Sequence, residues 1–148
     1  FIKASAQVGQ VIVDLPTITP STATPTGLSA TASVGTVTTT GVTITQTFAV
    51  TVANPGSGNK YYIDGFQQAT VNLTEGNTYR FDQSDGTNSG HPLRLSTTSD
   101  GTHSGGSQYT TGVTTTSSYT QITVAVGAPT LYYYCTNHSG MGGQANTP

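Results

Sequence analysis

The chain has one cysteine and one methionine, and both lie in the stretch YYYCTNHSGMGG at residues 132–143. Cys135, His138 and Met141 follow one another at intervals of three, in a chain that has only three histidines. A thiolate, an imidazole and a thioether are soft or borderline ligands, and such a set suits copper. The spacing therefore makes this stretch a candidate metal site.

Each of these residues also has an ordinary structural interpretation. A lone cysteine is usually a small core hydrophobe, and a lone methionine usually fills space in a core. Because Cys135 is the sole cysteine, it cannot form an internal disulfide and is free, reactive, intermolecular or a ligand. What favours ligation is the combination of three donor types in one short loop.

A blue-copper site needs a second imidazole beside one Cys, one His and a weak axial Met. His91 lies in SGHPLRLS, at the entry to an alternating strand and after the turn-rich SDGTNSG, which predicts a position at a sheet end. His103 lies in the long polar segment SDGTHSGGS and is interpreted as an ordinary surface histidine. The sequence therefore predicts His91, Cys135, His138 and Met141 as the metal ligands.

The elements that would position these ligands are β-strands. Thr, Ser, Gly and Val dominate the 148 residues, and only 7% of residues are charged, which favours an all-β protein. Alternating apolar residues between turn clusters predict about seven strands, at 46–52, 60–65, 69–73, 78–82, 92–96, 118–126 and 131–135. This pattern indicates an antiparallel Greek-key sandwich or barrel, without a helix of useful length.

The last predicted strand places the sulfur. Leu131, Tyr133 and Cys135 share one face by the period of two, so the sulfur faces the core if Leu131 does. Glycines at 140, 142 and 143 allow the following loop to turn back tightly. The run Tyr132–Tyr134 is interpreted as amphipathic strand residues suited to a sheet edge or an interface.

Residues 1–45 differ from the sandwich region, 46–148. They contain two charges, Lys3 and Asp14, and are rich in Thr, Ser, Ala, Gly and Val, with Pro20 and Pro25 inside. A flexible linker is one interpretation. The dense β-branched content favours another, an extended arm that adds strands to neighbouring chains, with strand candidates at 11–13 and 34–38.

Several classes of function are disfavoured. A formal net charge of -2 and the lack of a basic run argue against nucleic-acid and membrane partners. Cys135 and His138 have no obvious orienting group that would make them a nucleophile and its base, and the carboxylates form no recognisable pair. A structural zinc site normally closes with four Cys or His ligands, which Met141 does not satisfy. We therefore expect a protein that is not an enzyme.

GHPLRLS followed by YYYCTNHSGMGG resembles the cupredoxins, the plastocyanin-like type 1 copper proteins. The resemblance covers about residues 46–148 and includes NLTEGNTYRFD, which is similar to the family's strand before the first ligand. It implies a cupredoxin-like β sandwich with a type 1 copper ion held by His91, Cys135, His138 and Met141.

A narrower resemblance covers YYIDGFQQATVNLTEGNTYRFDQSDGTNSGHPLRLSTTSDGTH, which is similar to cupredoxin-like modules in virion structural proteins of marine tailed phages. It implies a decoration or tail-associated protein of an extracellular particle. Residues 1–45 would then contact other virion proteins or copies of the same chain. The alternative is a soluble blue-copper electron-transfer protein that is secreted or periplasmic.

Overall fold

A computed structural model describes residues 41–147 in full and the backbone of residues 4–7 and 10–13. In the first of these parts, ten strands form two sheets. The strand bounds are β3 Gln46–Ala53, β4 Lys60–Ile63, β5 Phe66–Gln67, β6 Val71–Asn72, β7 Thr78–Asp82, β8 Leu93–Ser96, β9 Val113–Thr115, β10 Tyr119–Thr123, β11 Leu131–Cys135 and β12 Gly143–Asn146. One sheet has six strands in the order β5-β4-β3-β7-β10-β9, and the other has four in the order β6-β12-β11-β8.

The predicted all-β sandwich is confirmed. Its sheets are mixed rather than wholly antiparallel, because β3 pairs with β7 and β6 with β12 in the parallel sense. After β5 the chain leaves the first sheet, contributes β6 to the second and returns as β7 beside β3. Among the residues described, the helical elements are two short 3₁₀ helices, at Gly86–Asn88 and Gly101–Ser104. None of the described helices is long and apolar enough to cross a bilayer.

Apolar side chains from both sheets meet in a single core. Phe48 and Val50 of β3 are buried as their alternation predicts, and Leu131, Tyr133 and Cys135 of β11 are fully buried. The rings of Phe81 and Tyr133 lie 5.9 Å apart, which joins the two sheets across the core. The inward phase predicted for Cys135 is therefore correct.

Two details of the sequence interpretation are wrong. β11 is not a sheet edge, because it pairs with β12 and β8, and Tyr134 is fully buried beneath the 3₁₀ helix that contains Gly101. The alternation through Val126 does not continue as a strand either. β10 ends at Thr123, a turn follows, and Val126 is 87% exposed.

The N-terminal part that is described consists of β1 Ala4–Gln7 and β2 Gln10–Val13, which pair antiparallel as a hairpin. The strand predicted at 11–13 lies within β2. The strand predicted at 34–38 lies outside the described residues, and the proposed division at residue 45 stays a prediction.

Candidate metal centre

The register between β8 and β11 brings two predicted ligands together. In this antiparallel pair Cys135 lies opposite Leu93, so the end of β11 meets the start of β8. His91 lies two positions before the start of β8, and His138 follows β11 in the next loop. His91 and Cys135, which are 44 positions apart in sequence, therefore reach the same end of the second sheet because β8 and β11 pair.

The three donor atoms converge. Cys135 Sγ lies 3.9 Å from His91 Nδ1 and 3.7 Å from His138 Nδ1, and all three ligand atoms lie within 4.8 Å of one another. With metal–ligand bonds of about 2.0 Å to nitrogen and 2.3 Å to sulfur, a trigonal arrangement separates S and N by about 3.7 Å. The observed separations match that value, so the donor set fits a type 1 copper site.

The two imidazoles differ in their access to solvent. His91 is 9% exposed, Cys135 is fully buried and His138 is exposed. Their rings lie 4.6 Å apart, centroid to centroid. Burial lowers the pKa of His91, and the neighbouring His138 lowers it further. Both effects favour the neutral imidazole, which has a lone pair available for a metal.

The backbone of His91 is held by two buried side chains. Tyr61 Oη donates to the His91 carbonyl at 2.7 Å, and Gln83 Nε2 donates to the same oxygen at 2.8 Å. Gln83 Oε1 in turn accepts from the Leu93 backbone N–H. Burial, with a smaller contribution from Cys135, raises the pKa of Tyr61, so its hydroxyl remains a donor. These bonds join His91 to β4, to the residue after β7 and to the start of β8.

The loop that carries His138 is also fixed by polar contacts. Asn137 Nδ2 donates to the Gly90 carbonyl at 2.9 Å, which ties the loop to the segment before His91. Asp100 accepts from the Gly140 N–H at 2.9 Å, and Lys60 donates to the Gly140 carbonyl at 2.7 Å. This network holds the loop from three other parts of the chain, so the exposed ligand lies in a defined position.

Met141 ends this loop with its side chain almost fully buried. Its carbonyl accepts from the Tyr61 N–H at 3.0 Å, which places Met141 beside β4. It also contributes to a surface groove over the site, formed by Ser57, Gly58, Asn59, Lys60, His103, Asn137, His138, Ser139 and Met141. Met141 and His138 thus share one groove, and ligation by the Met141 thioether stays a prediction.

Sequence reasoning missed the role of His103. This residue is exposed, as predicted, but its Nε2 lies 2.8 Å from the Cys135 carbonyl oxygen, and its ring packs edge-on against Tyr134. The segment around it is a 3₁₀ helix flanked by left-handed residues, Asp100 and Gly105, rather than an open loop. The Asp-Gly and Gly-Gly pairs in SDGTHSGGS are turn signals that could have predicted this tight geometry.

Asn59 was missed as well. Its side-chain amide lies 3.3 Å from His91 Nε2, the ring nitrogen that faces away from Cys135. The sequence places Asn59 only at the end of the turn cluster NPGSGN, and nothing local marks it as a partner of His91. Contacts of this kind arise from tertiary packing, so spacing alone could not reveal this one.

No known protein-family profile matches the chain, and no curated protein sequence matches it either. Among solved structures, the chain is similar to rusticyanin from Thiobacillus ferrooxidans, at 14% identity and a TM-score of 0.42. The similarity covers 69% of this chain and 76% of rusticyanin. The assignment of the metal centre rests on the geometry of this chain's own residues.

Proposed function

We propose that this protein is a type 1 copper-binding module and not an enzyme. Its function would be to carry single electrons. The observation that carries the proposal is the convergence of Cys135 Sγ with the Nδ1 atoms of His91 and His138, at 3.9 and 3.7 Å. A bound copper ion would supply a one-electron couple between Cu(I) and Cu(II). The type of each ligand atom and its exposure to solvent determine how electrons would reach and leave the copper ion.

Cys135 and His91 would hold the ion from the buried side, where the fully buried sulfur is shielded from bulk water. His138 would complete the trigonal set and present its ring to the groove, so electrons would enter and leave through this imidazole. Met141 would supply its thioether as a weak fourth ligand. A thioether favours copper over zinc, whose sites are built from thiolate, imidazole and carboxylate.

Copper loading of the full-length, metal-free protein tests this function. Addition of one equivalent of Cu(II) should give intense visible absorption from the thiolate–Cu(II) bond, with a stoichiometry of one by metal analysis. Ascorbate should bleach the colour and ferricyanide should restore it. Zn(II) under the same conditions should give no colour. A protein that stays colourless after copper addition under oxidising conditions would overturn the proposal.

A second candidate function is assembly within a virion, and the N-terminal hairpin supports assembly by strand pairing. Within the described residues, β1 and β2 form a two-stranded sheet of their own. An isolated two-stranded hairpin is marginally stable in water, and its open edges can accept further strands. We propose that residues 1–45 pair with copies of this chain or with other virion proteins of an extracellular particle. The alternative is a soluble electron carrier that is secreted or periplasmic.

The assembly function is separable from copper binding. Among the residues that the structure describes, the core of the sandwich is formed between Phe48 and Ala145, so a chain lacking residues 1–45 should fold and load copper. Light scattering after size exclusion should show the full chain in oligomers or particles and the shortened chain as a monomer. A monomeric full-length protein would contradict the assembly role and favour the soluble electron carrier.

A further inference from the structure

The two ring nitrogens of His91 face different partners. Nδ1 lies 3.9 Å from Cys135 Sγ, whereas Nε2 lies 3.3 Å from Nδ2 of Asn59. Asn59 ends the turn that joins β3 to β4, so it approaches the imidazole from outside the ligand loop. A neutral imidazole carries one proton on one of its two nitrogens, and each nitrogen is therefore either a donor or an acceptor. If Asn59 donates a hydrogen bond to Nε2, the ring proton lies on Nδ1. If Asn59 accepts a hydrogen bond from Nε2, the lone pair of Nδ1 is free.

Metal binding requires the opposite tautomer of His91 from the one that the Asn59 contact favours in this structure. In the arrangement described, Asn59 presents its NH₂ group, so Nε2 accepts and the proton lies on Nδ1, directed toward the Cys135 sulfur. When Nδ1 gives its lone pair to a metal, the proton must lie on Nε2, which then needs an acceptor. An amide can meet both requirements, because a half-turn about its last side-chain bond exchanges nitrogen for oxygen.

The surroundings of His91 hold its ring in place but leave its tautomer free to change. Its carbonyl is held by Tyr61 and Gln83, its backbone N–H donates to the Asn88 carbonyl, and its ring is buried against His138. The ring is therefore fixed in place. Asn59 is on the surface, in the groove above the site, where its amide has room to turn.

We propose that Asn59 is a positioning residue that selects the tautomer of His91, and that its amide turns over when the site takes up a metal. This inference rests on the proposed function. It assigns the metal-free protein the Nδ1–H tautomer and the loaded protein the Nε2–H tautomer. Asn59 then stabilises each state with a hydrogen bond of the correct polarity.

Two variants of Asn59 test its role in the metal-free state and in the metal-loaded state. Asn59→Asp can only accept, so it should favour the Nε2–H tautomer whether or not metal is present. Asn59→Leu has a similar size but neither donates nor accepts, so it should weaken the loaded state. Asn54→Asp is the matched control, because Asn54 belongs to the same turn and its Oδ1 accepts from the Gly56 N–H instead.

Long-range proton–nitrogen correlation spectra of the ¹⁵N-labelled full-length protein report the tautomer of His91 directly. In the metal-free wild type and in metal-free Asn54→Asp we expect the Nδ1–H tautomer. After loading with diamagnetic Cu(I), both should show the Nε2–H tautomer. Asn59→Asp should show the Nε2–H tautomer with and without metal. Competition with a Cu(I) chelator should show affinity reduced about tenfold or more in Asn59→Leu, the usual range for loss of an outer partner of a metal-binding histidine.

Several results would overturn the inference. They are an Nε2–H tautomer in the metal-free wild type, no change of tautomer in Asn59→Asp, or an unchanged Cu(I) affinity in Asn59→Leu. A wild-type protein that binds no Cu(I) would instead overturn the proposed function. In that case the metal-free spectra of the wild type and Asn59→Asp still decide whether Asn59 selects the tautomer.

Discussion

Cys135 Sγ and His91 Nδ1 lie 3.9 Å apart although 44 positions separate the two residues. The pairing of Leu93 with Cys135 across β8 and β11 accounts for most of this approach, since it fixes which residue before β8 meets the end of β11. A shift of one residue in this register would point every side chain of one strand to the opposite face. The metal centre is therefore built by sheet register first and by loop geometry second.

Replacement of the sulfur tests the principal bond of the site. Cys135→Ser keeps a small side chain at the end of β11 but removes the thiolate, so the intense visible absorption of the Cu(II)-loaded protein should disappear. Ser139→Ala, in the exposed part of the same loop, should retain the colour. Visible absorption at one equivalent of copper checks both variants. Colour that persists in Cys135→Ser would show that the copper binds elsewhere.

Met141→Leu tests the axial position. This swap nearly conserves volume, so the buried side chain should be replaced at a cost below about 1.5 kcal/mol in the free energy of unfolding. The colour should remain because the thiolate is intact. The reduction potential should rise, because a weak electron-donating ligand that stabilises Cu(II) is lost. A redox titration gives the midpoint, and an unchanged potential would mean that Met141 only packs.

Gly142 tests the close approach of the ligand loop to β11. A Cβ at this position would overlap the carbonyl oxygen of Tyr133, so Gly142→Ala must displace backbone next to Cys135. We expect a loss of about 1–3 kcal/mol or more in unfolding free energy, together with weaker copper binding. Gly86→Ala is the control, because a Cβ there meets open space and the backbone is not left-handed. Equal stability of the two variants, measured by urea denaturation, would contradict the prediction.

Much of the sandwich was accessible from periodicity. β7 and β11 have the predicted bounds, and β3, β4 and β8 lie within about a residue or two of theirs, because alternating apolar side chains report a half-buried strand directly. β5, β9 and β12 were not predicted. They are two to four residues long and carry little apolar alternation, so their strand character comes from pairing with neighbours. The direction of pairing was also inaccessible, since alternation is the same in parallel and antiparallel strands.

The candidate ligands were accessible for a different reason. Cys, Met and His are rare in this chain, and their clustering in one loop is a chemical signal that does not depend on fold. The residues that hold the ligands gave no such signal. Gln83, Tyr61 and Asn59 are common residue types whose contacts with His91 span 8 to 32 positions, so the three-dimensional fold was needed to find them.

Asp85 gives a pH-dependent prediction close to the site. Hydrogen bonds from the Thr87 hydroxyl and N–H lower the pKa of Asp85, and the Thr87 hydroxyl also accepts from the Val52 N–H of β3. A carboxylate whose pKa is lowered in the folded state stabilises that state above its unfolded pKa of about 3.9. This contribution is lost as the pH falls through the lower, folded value.

The variant Asp85→Ala should therefore unfold more readily than the wild type at pH 7, and the difference should shrink as the pH falls below about 4. Thermal denaturation across this range measures it. Asp64→Ala is the comparison, because Asp64 also accepts a backbone N–H, from Ala49, but lies in a separate turn. A difference between Asp85→Ala and the wild type that does not depend on pH would mean that the charge of Asp85 has no part in holding this turn.

The unequal exposure of the two histidines leads to the last prediction. His138 opens to the groove, whereas His91 is buried and its ring lies beneath Asn59 and beside His138. Removal of the outer ring by His138→Gly should leave a gap that free imidazole can enter from solvent, so copper and added imidazole together should restore the visible absorption. His91→Gly leaves a gap beneath Asn59 that is much less open to solvent, so imidazole should restore less of the colour there. Absorption titrations with imidazole compare the two variants at equal copper. Equal recovery of the absorption in both variants would show that the interior of the sandwich admits small ligands. Recovery in neither variant would mean that free imidazole cannot replace the His138 ring, which the chain holds in position.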